Sequence, residues 1–149
     1  MTSIKPILDA TFFKEPAGNF VLGHIVSSGL LEIDFEPYAR ESEVGYWHCD
    51  LTDHDALTWS DKVYEIFDFP KGTAVAREDA VAIYKEHSRG VLERLRTFAI
   101  KKGRGFILDA AINPHGGTRW IRILAAPVME EGRVVGLRGL KRILTPELR

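Results

Sequence analysis

Cysteine is nearly absent. Cys49 is the only one in 149 residues, so no internal disulfide can form and packing has to hold the fold. There is no run of about 18 apolar residues and no basic-then-apolar leader after Met1, so the expectation is a soluble, cytoplasmic chain. A charge excess is missing too. Lys and Arg number 20 against 21 Asp and Glu, which removes the bulk electrostatic case for a nucleic-acid or membrane-surface partner.

Catalytic signatures are also lacking. The chain has no Gly-x-Ser-x-Gly and no phosphate-cradling Gly-x-x-x-x-Gly-Lys. Gly103-Arg-Gly105 lacks a third glycine and closes a helix instead of opening one. His115-Gly-Gly117 reads as a hairpin turn. The expectation is therefore a protein that is not an enzyme. His48, Cys49 and Asp50, followed by Asp53, His54 and Asp55, are the densest set of metal-ligand types. Successive strand side chains point to opposite faces, so His48 and Cys49 cannot share an ion without a bulge, and no metal is expected.

What is present is apolar material with clear periodicity. At 45% hydrophobic residues the chain can bury the core of one domain plus an extension. From Gly116 to Thr145 two β-rich halves flank Glu130-Glu-Gly-Arg133, a hairpin. In the first half Ile121, Ile123 and Ala125 alternate with Trp120, Arg122 and Leu124, so one face is expected to be core and the other partly wet. Arg138, Lys141 and Arg142 fall on both parities of the last strand, so at least one cation should point toward the helices unless the strand bulges or projects past the core.

Upstream, Gly45 to Leu51 and Ala56 to Ser60 read as a hairpin of two strands. Val63, Tyr64, Ile66 and Phe67 crowd one side of a short helix that Ser60 or Asp61 could cap. Glu78 to Tyr84 is a second helical piece. His87 to Lys102 is the longest, with Val91, Leu92, Leu95, Phe98 and Ala99 on one face and Glu93, Arg94, Arg96 and Lys101 opposite. Gly103 stops it. Phe106 to Ile112 is a further strand. Before Val44, Phe20 to Val26 and Leu30 to Phe35 read as an additional hairpin.

Strands, then helices, then strands describe an α+β domain, and at this point the residues resemble a known family. Gly45-Tyr-Trp-His-Cys-Asp-Leu51 is similar to the opening Gly-x-Trp-x-x-Asp-Leu of the PAS domain, the sensor module of bacterial signalling proteins. Leu57-Thr-Trp-Ser-Asp61 with Tyr64 and Phe67, and Arg119-Trp120-Ile121-Arg122 through Pro127 to Gly139, resemble later PAS segments. Two places depart from it: the last strand ends Ile143-Leu144-Thr145 without the usual acid, and Lys85-Glu-His-Ser-Arg89 precedes the long helix.

The resemblance implies an antiparallel five-stranded sheet with short helices and one long helix on one face. Residues 44–145 would form this PAS-like domain, residues 1–43 an N-terminal extension and residues 146–149 a tail. It also implies a non-catalytic sensory or regulatory module that works as a homodimer through protein contacts. The alternatives are the N-terminal sensor fragment of a histidine kinase or diguanylate cyclase, and a small α+β enzyme. Flavin relatives carry their cysteine in the helical middle of the domain, whereas Cys49 lies in the first strand. Haem relatives use a histidine within the long helix, whereas His87 stands at its first turn. Neither group is expected, and the cofactor is unknown.

The candidate ligand pocket, for a small apolar molecule, lies between the helices and the sheet. Tyr64, Phe67, Leu92, Leu95 and Phe98 would form its roof, and Trp47, Leu108, Ala110, Ile121 and Ile123 its floor. The candidate dimer surface is the outer sheet face, with Trp120 and Leu124 covered by Leu31, Ile33 and Phe35 of the extension.

Overall fold

The computed structural model of the chain describes residues 12–13, 15–26 and 43–144. Strand β1 is His24–Val26, β2 Val44–Asp50 and β3 Ala56–Trp59. Helices α1 (Asp61–Phe67), α2 (Arg77–Val81) and α3 (Glu86–Lys102) follow, then β4 (Gly105–Ile112), β5 (Arg119–Glu130) and β6 (Arg133–Ile143). The strands form one sheet in the order β1-β4-β5-β6-β2-β3, and each neighbouring pair is antiparallel. The five expected strands are present, and β1 of the extension adds a sixth. The expected partner of β1, with Leu31, Ile33 and Phe35, lies outside the described residues.

Local chemistry explains the helix boundaries. Ser60 begins α1 but does not cap it with its side chain; its Oγ accepts the Tyr46 N–H at 2.8 Å, tying the helix start to β2. Helix α3 ends at Gly103, whose φ of 64° is left-handed and lets its N–H reach the Ala99 carbonyl. Gly103→Ala should therefore lower stability by about 1–2 kcal/mol, the cost of a left-handed L-residue, as read from a urea midpoint. Gly139 answers a different need: a Cβ there would run into the Leu124 carbonyl oxygen of the adjacent strand.

Both sheet faces are covered, so the expectation of a partly wet outer face is corrected. On the helix side Val63, Ile66, Phe67, Val91 and Ala99 pack on Phe106, Leu108, Ala110, Ile121 and Ile123. On the other side Phe12 and Phe20 pack on Ile107, Leu124, Ala126 and Leu140. All eight residues of β4 are buried as a result. The second layer exists because the extension brings large aromatics to a face that the central strands supply with aliphatic side chains.

A buried ion pair anchors that layer. Arg122, at 0% exposure, grips Asp109 with Nε to Oδ1 at 2.7 Å and Nη2 to Oδ2 at 3.0 Å. Its remaining donors reach the carbonyls of Glu15 and Pro16, both at 2.9 Å, while Asp109 Oδ2 accepts the Gly18 N–H at 2.8 Å. The Phe20 ring lies 4.7 Å from the guanidinium. Alongside, Arg142 sits over the Phe13 ring at 5.4 Å.

Candidate functional site

The alternation of β6 decides which cation enters the helix-side core. Leu140 and Arg142 face the aromatic extension, so Lys141 between them faces the helices, where it is buried with 8% exposure. Antiparallel pairing sets it beside Gly45 of β2, where a Cβ would run into Val63 of α1. Lys141 Nζ donates to the Tyr84 hydroxyl at 3.3 Å and lies 4.7 Å from the Phe67 ring centroid and 5.2 Å from that of Trp47. Burial pulls its pKa down to about 7, and the Arg77 charge adds to the shift. The Tyr84 hydroxyl, also desolvated, is held well above the usual phenol range and remains a donor.

Lys141 opens on a cavity of about 70 Å³ between β2, β3, α2, α3 and β6. Its walls include Trp47, Cys49, Leu57, Trp59, Ala80, Leu92, Ile123 and Leu137, and two further cations reach it, Arg77 and Arg96. Arg77 pairs with Glu93 and Arg96 with Asp55, the latter at 2.9 Å. Burial also raises the Cys49 thiol above its ordinary pKa, and Asp55 adds to the shift, so the thiol is neutral. Trp59 stacks on Phe67 with ring centroids 5.1 Å apart, closing the aromatic side.

Three of the ten pocket residues named from sequence, Trp47, Leu92 and Ile123, line this cavity. Phe67, Leu108, Ala110 and Ile121 belong to the same core but are packed away from the space. Tyr64 is spent on a hydrogen bond from its hydroxyl to the Thr73 carbonyl, and Leu95 packs against Gly23. Phe98 is corrected outright: it is 40% exposed, because α3 presents Val91 and Ala99 to the sheet and turns Phe98 aside. Arg96, read as facing away, lies in the cavity wall because Asp55 draws it inward. Tyr84 and Lys141 were missed as site residues, although the double parity of the β6 cations already required one inward charge.

Of the dimer candidates, Leu124 is fully buried beneath its own chain and Trp120 is half-buried. Leu124 is thus unavailable to a second copy. His48 and Cys49 lie on opposite faces of β2, and among the described residues no three His, Cys, Asp or Glu side chains converge on a metal position. Nor, among those residues, is any helix long and apolar enough to cross a membrane.

The resemblance to PAS domains raises the question of a prosthetic group. About 70 Å³ is a fraction of the ~300–1,000 Å³ usual for drug-sized ligands, and Lys141 stands at its edge. His87, the only histidine of α3, is exposed. The residues present therefore do not fit a flavin ring or a haem.

No protein-family model matches the sequence, and no curated protein matches it. Solved structures do. The RNA-binding Light-Oxygen-Voltage receptor aligns at 16% identity and a TM-score of 0.62 over 71% of this chain, which spans 30% of that protein. The N-terminal domain of a diguanylate cyclase with PAS/PAC sensor from Marinobacter aquaeolei aligns at 16% identity and TM-score 0.63, covering 72% of this chain and 100% of that one. A sensory box histidine kinase/response regulator from Burkholderia thailandensis gives 12% identity and TM-score 0.59 over 74% and 84% of the two chains. At these identities the likeness is one of fold, and the fold is that of a PAS domain.

Proposed function

We propose that this chain, having the PAS fold, is a non-catalytic sensory or regulatory module that binds a small molecule in the helix-side cavity and signals through protein contacts. The observation carrying this reading is the cavity itself: a core otherwise packed from both sides retains open space next to a buried, chargeable lysine. An inert core would be filled, since empty volume forfeits dispersion contacts and an unpaired buried charge is costly. Placement in the cytoplasm belongs to the same reading.

The working form we propose is a homodimer. Support comes from large apolar side chains left exposed around the extension and α3: Leu22 at 74%, Ile25 at 39% and Phe98 at 40%. Gly23, between Leu22 and Ile25, abuts Leu95, one turn before Phe98, so these residues share one region. Native mass spectrometry of freshly purified protein tests both statements. The expected spectrum is a dimer carrying a small adduct that disappears under denaturing conditions; a bare monomer would overturn the reading. A second reading, the N-terminal sensor part of a histidine kinase or diguanylate cyclase, has support in the full coverage of the Marinobacter sensor domain. The coding sequence downstream of Arg149 separates the two.

A further inference from the structure

Resting on the reading of the helix-side cavity as a ligand site, we infer that its ligand is a small monoanion: a short-chain carboxylate that pairs with Lys141 and lays its apolar tail along Trp59, Ile123 and Leu137. Three independent features of the cavity lead there.

Charge comes first. Among the described residues the lining holds three cations and no carboxylate. Arg77 and Arg96 are matched by Glu93 and Asp55 from just outside it. Among the described residues no carboxylate forms an ion pair with Lys141, whose only hydrogen-bond partner there is the neutral Tyr84 hydroxyl. One positive charge is left over, which suits a ligand of charge minus one. A phosphate dianion would bring a second negative charge with no further unmatched cation to meet it, and no apolar tail for the aliphatic part of the walls.

Hydrogen-bond polarity comes second. Trp47, 7% exposed and part of the lining, has a buried Nε1–H with no acceptor among the described residues. Tyr84, accepting from Lys141, keeps its own hydrogen to give. The site thus has surplus donors from Trp47, Tyr84 and Lys141, and the ligand has to bring acceptors. A carboxylate has two oxygens and about four lone-pair positions, and carries no donor of its own.

Size comes third. At roughly 10–15 Å³ for each water-sized sphere, about 70 Å³ holds about five to seven such groups, enough for the heavy atoms of propionate. Methyl and methylene groups match the aromatic and aliphatic walls better than hydroxyls would.

The groups facing Lys141 are the Cys49 thiol of β2, the Tyr84 phenol beyond α2 and the Arg77 guanidinium of α2, with the Trp47 and Phe67 rings. Only Lys141 among them changes charge near neutrality, its pKa standing at about 7. An anion binds the charged form, so above pH 7 binding takes up a proton and affinity falls by about tenfold per pH unit.

Calorimetric titration of the full-length chain with sodium propionate, propionamide and inorganic phosphate at pH 6.5 and pH 8.5 tests the inference. Propionate should bind, more weakly at the higher pH and with proton uptake measurable in buffers of different ionisation enthalpy; the other two should bind at least about tenfold more weakly. Lys141→Met should reduce propionate affinity by about 100-fold, and Trp47→Phe, which keeps the ring but removes the indole N–H, by about tenfold. Propionamide binding as tightly as propionate, or full affinity in Lys141→Met, would overturn the anion while leaving a ligand-binding cavity. No binding of any probe would also overturn it, and the native mass spectrum then decides separately whether the protein carries another molecule.

Discussion

Arg122→Ala should destabilise the protein by about 3–5 kcal/mol, the cost of leaving one partner of a buried ion pair uncompensated. That is a large share of the ~5–15 kcal/mol typical of a whole domain. The variant strips the Asp109 carboxylate of two charge-assisted bonds and leaves the Glu15 and Pro16 carbonyls without their donors. It also removes the cation from the Phe20 ring. The loss should be uneven, because these partners all belong to the extension or to β4. Urea unfolding followed by Trp fluorescence reports the global change, and limited proteolysis reports cleavage between Phe12 and Val26. A variant with the wild-type midpoint and protection would mean that the extension does not lie on the sheet in solution. The double variant Arg122→Met with Asp109→Leu should regain only part of the loss: it removes the uncompensated carboxylate, but the Glu15 and Pro16 carbonyls and the Gly18 N–H still lose these partners.

Lys141→Met acts in the opposite direction. Methionine fills similar space without a charge, and replacing buried charge by apolar side chains is often neutral or stabilising, by about 1–4 kcal/mol. The sign also follows from proton linkage. The unfolded lysine holds its proton up to its ordinary pKa of 10.5, whereas in the folded protein it is lost near 7. Between these values the unfolded state binds more protons, so wild-type stability attributable to this group rises with pH, by at most about 1.4 kcal/mol per unit. Below pH 7 both states are protonated and the penalty is constant at its largest value. Melting curves from pH 6 to pH 10 should show the variant above wild type, with the gap narrowing as pH rises. A variant less stable than wild type at pH 6.5 would show that the Tyr84 bond and the surrounding rings more than offset burial.

Much of the helix-side architecture was legible because it rests on strong periodicities. The parity of β5, with Ile121, Ile123 and Ala125 against Trp120, Arg122 and Leu124, is the observed division of faces. Gly103 ends the long helix in the left-handed conformation that its residue type announces. The cavity was less legible, because periodicity says which way a side chain points but not how far its neighbours fill the space. Phe98 carries the right spacing and is exposed, whereas Arg96 carries the wrong one and is drawn in by Asp55, a partner 41 residues away. The buried outer face was unreadable for a similar reason. Nothing local to Arg122 or Asp109 shows that the two meet, or that Arg122 donates to the carbonyls of residues about a hundred positions earlier while Asp109 accepts the Gly18 N–H.

The short strand β1 has a further consequence for how the protein avoids sticking to itself. A central strand such as β4, eight residues long and apolar apart from Asp109, would be an aggregation hazard if its free edge lay open to other chains. Here the edge is blunted along its length by unlike pieces. Strand β1 pairs with Gly105 to Ile107, and the Phe20 carbonyl accepts the Asp109 N–H. The Ser88 hydroxyl accepts the Ala111 N–H, Lys85 donates to the Ala111 carbonyl, and Ile83 accepts from Asn113. Such a border is irregular in direction and chemistry, so it offers no template for an incoming strand. Losing the extension would therefore do more than uncover apolar side chains: it would open a ready-made docking line for amyloid-like growth along half of β4.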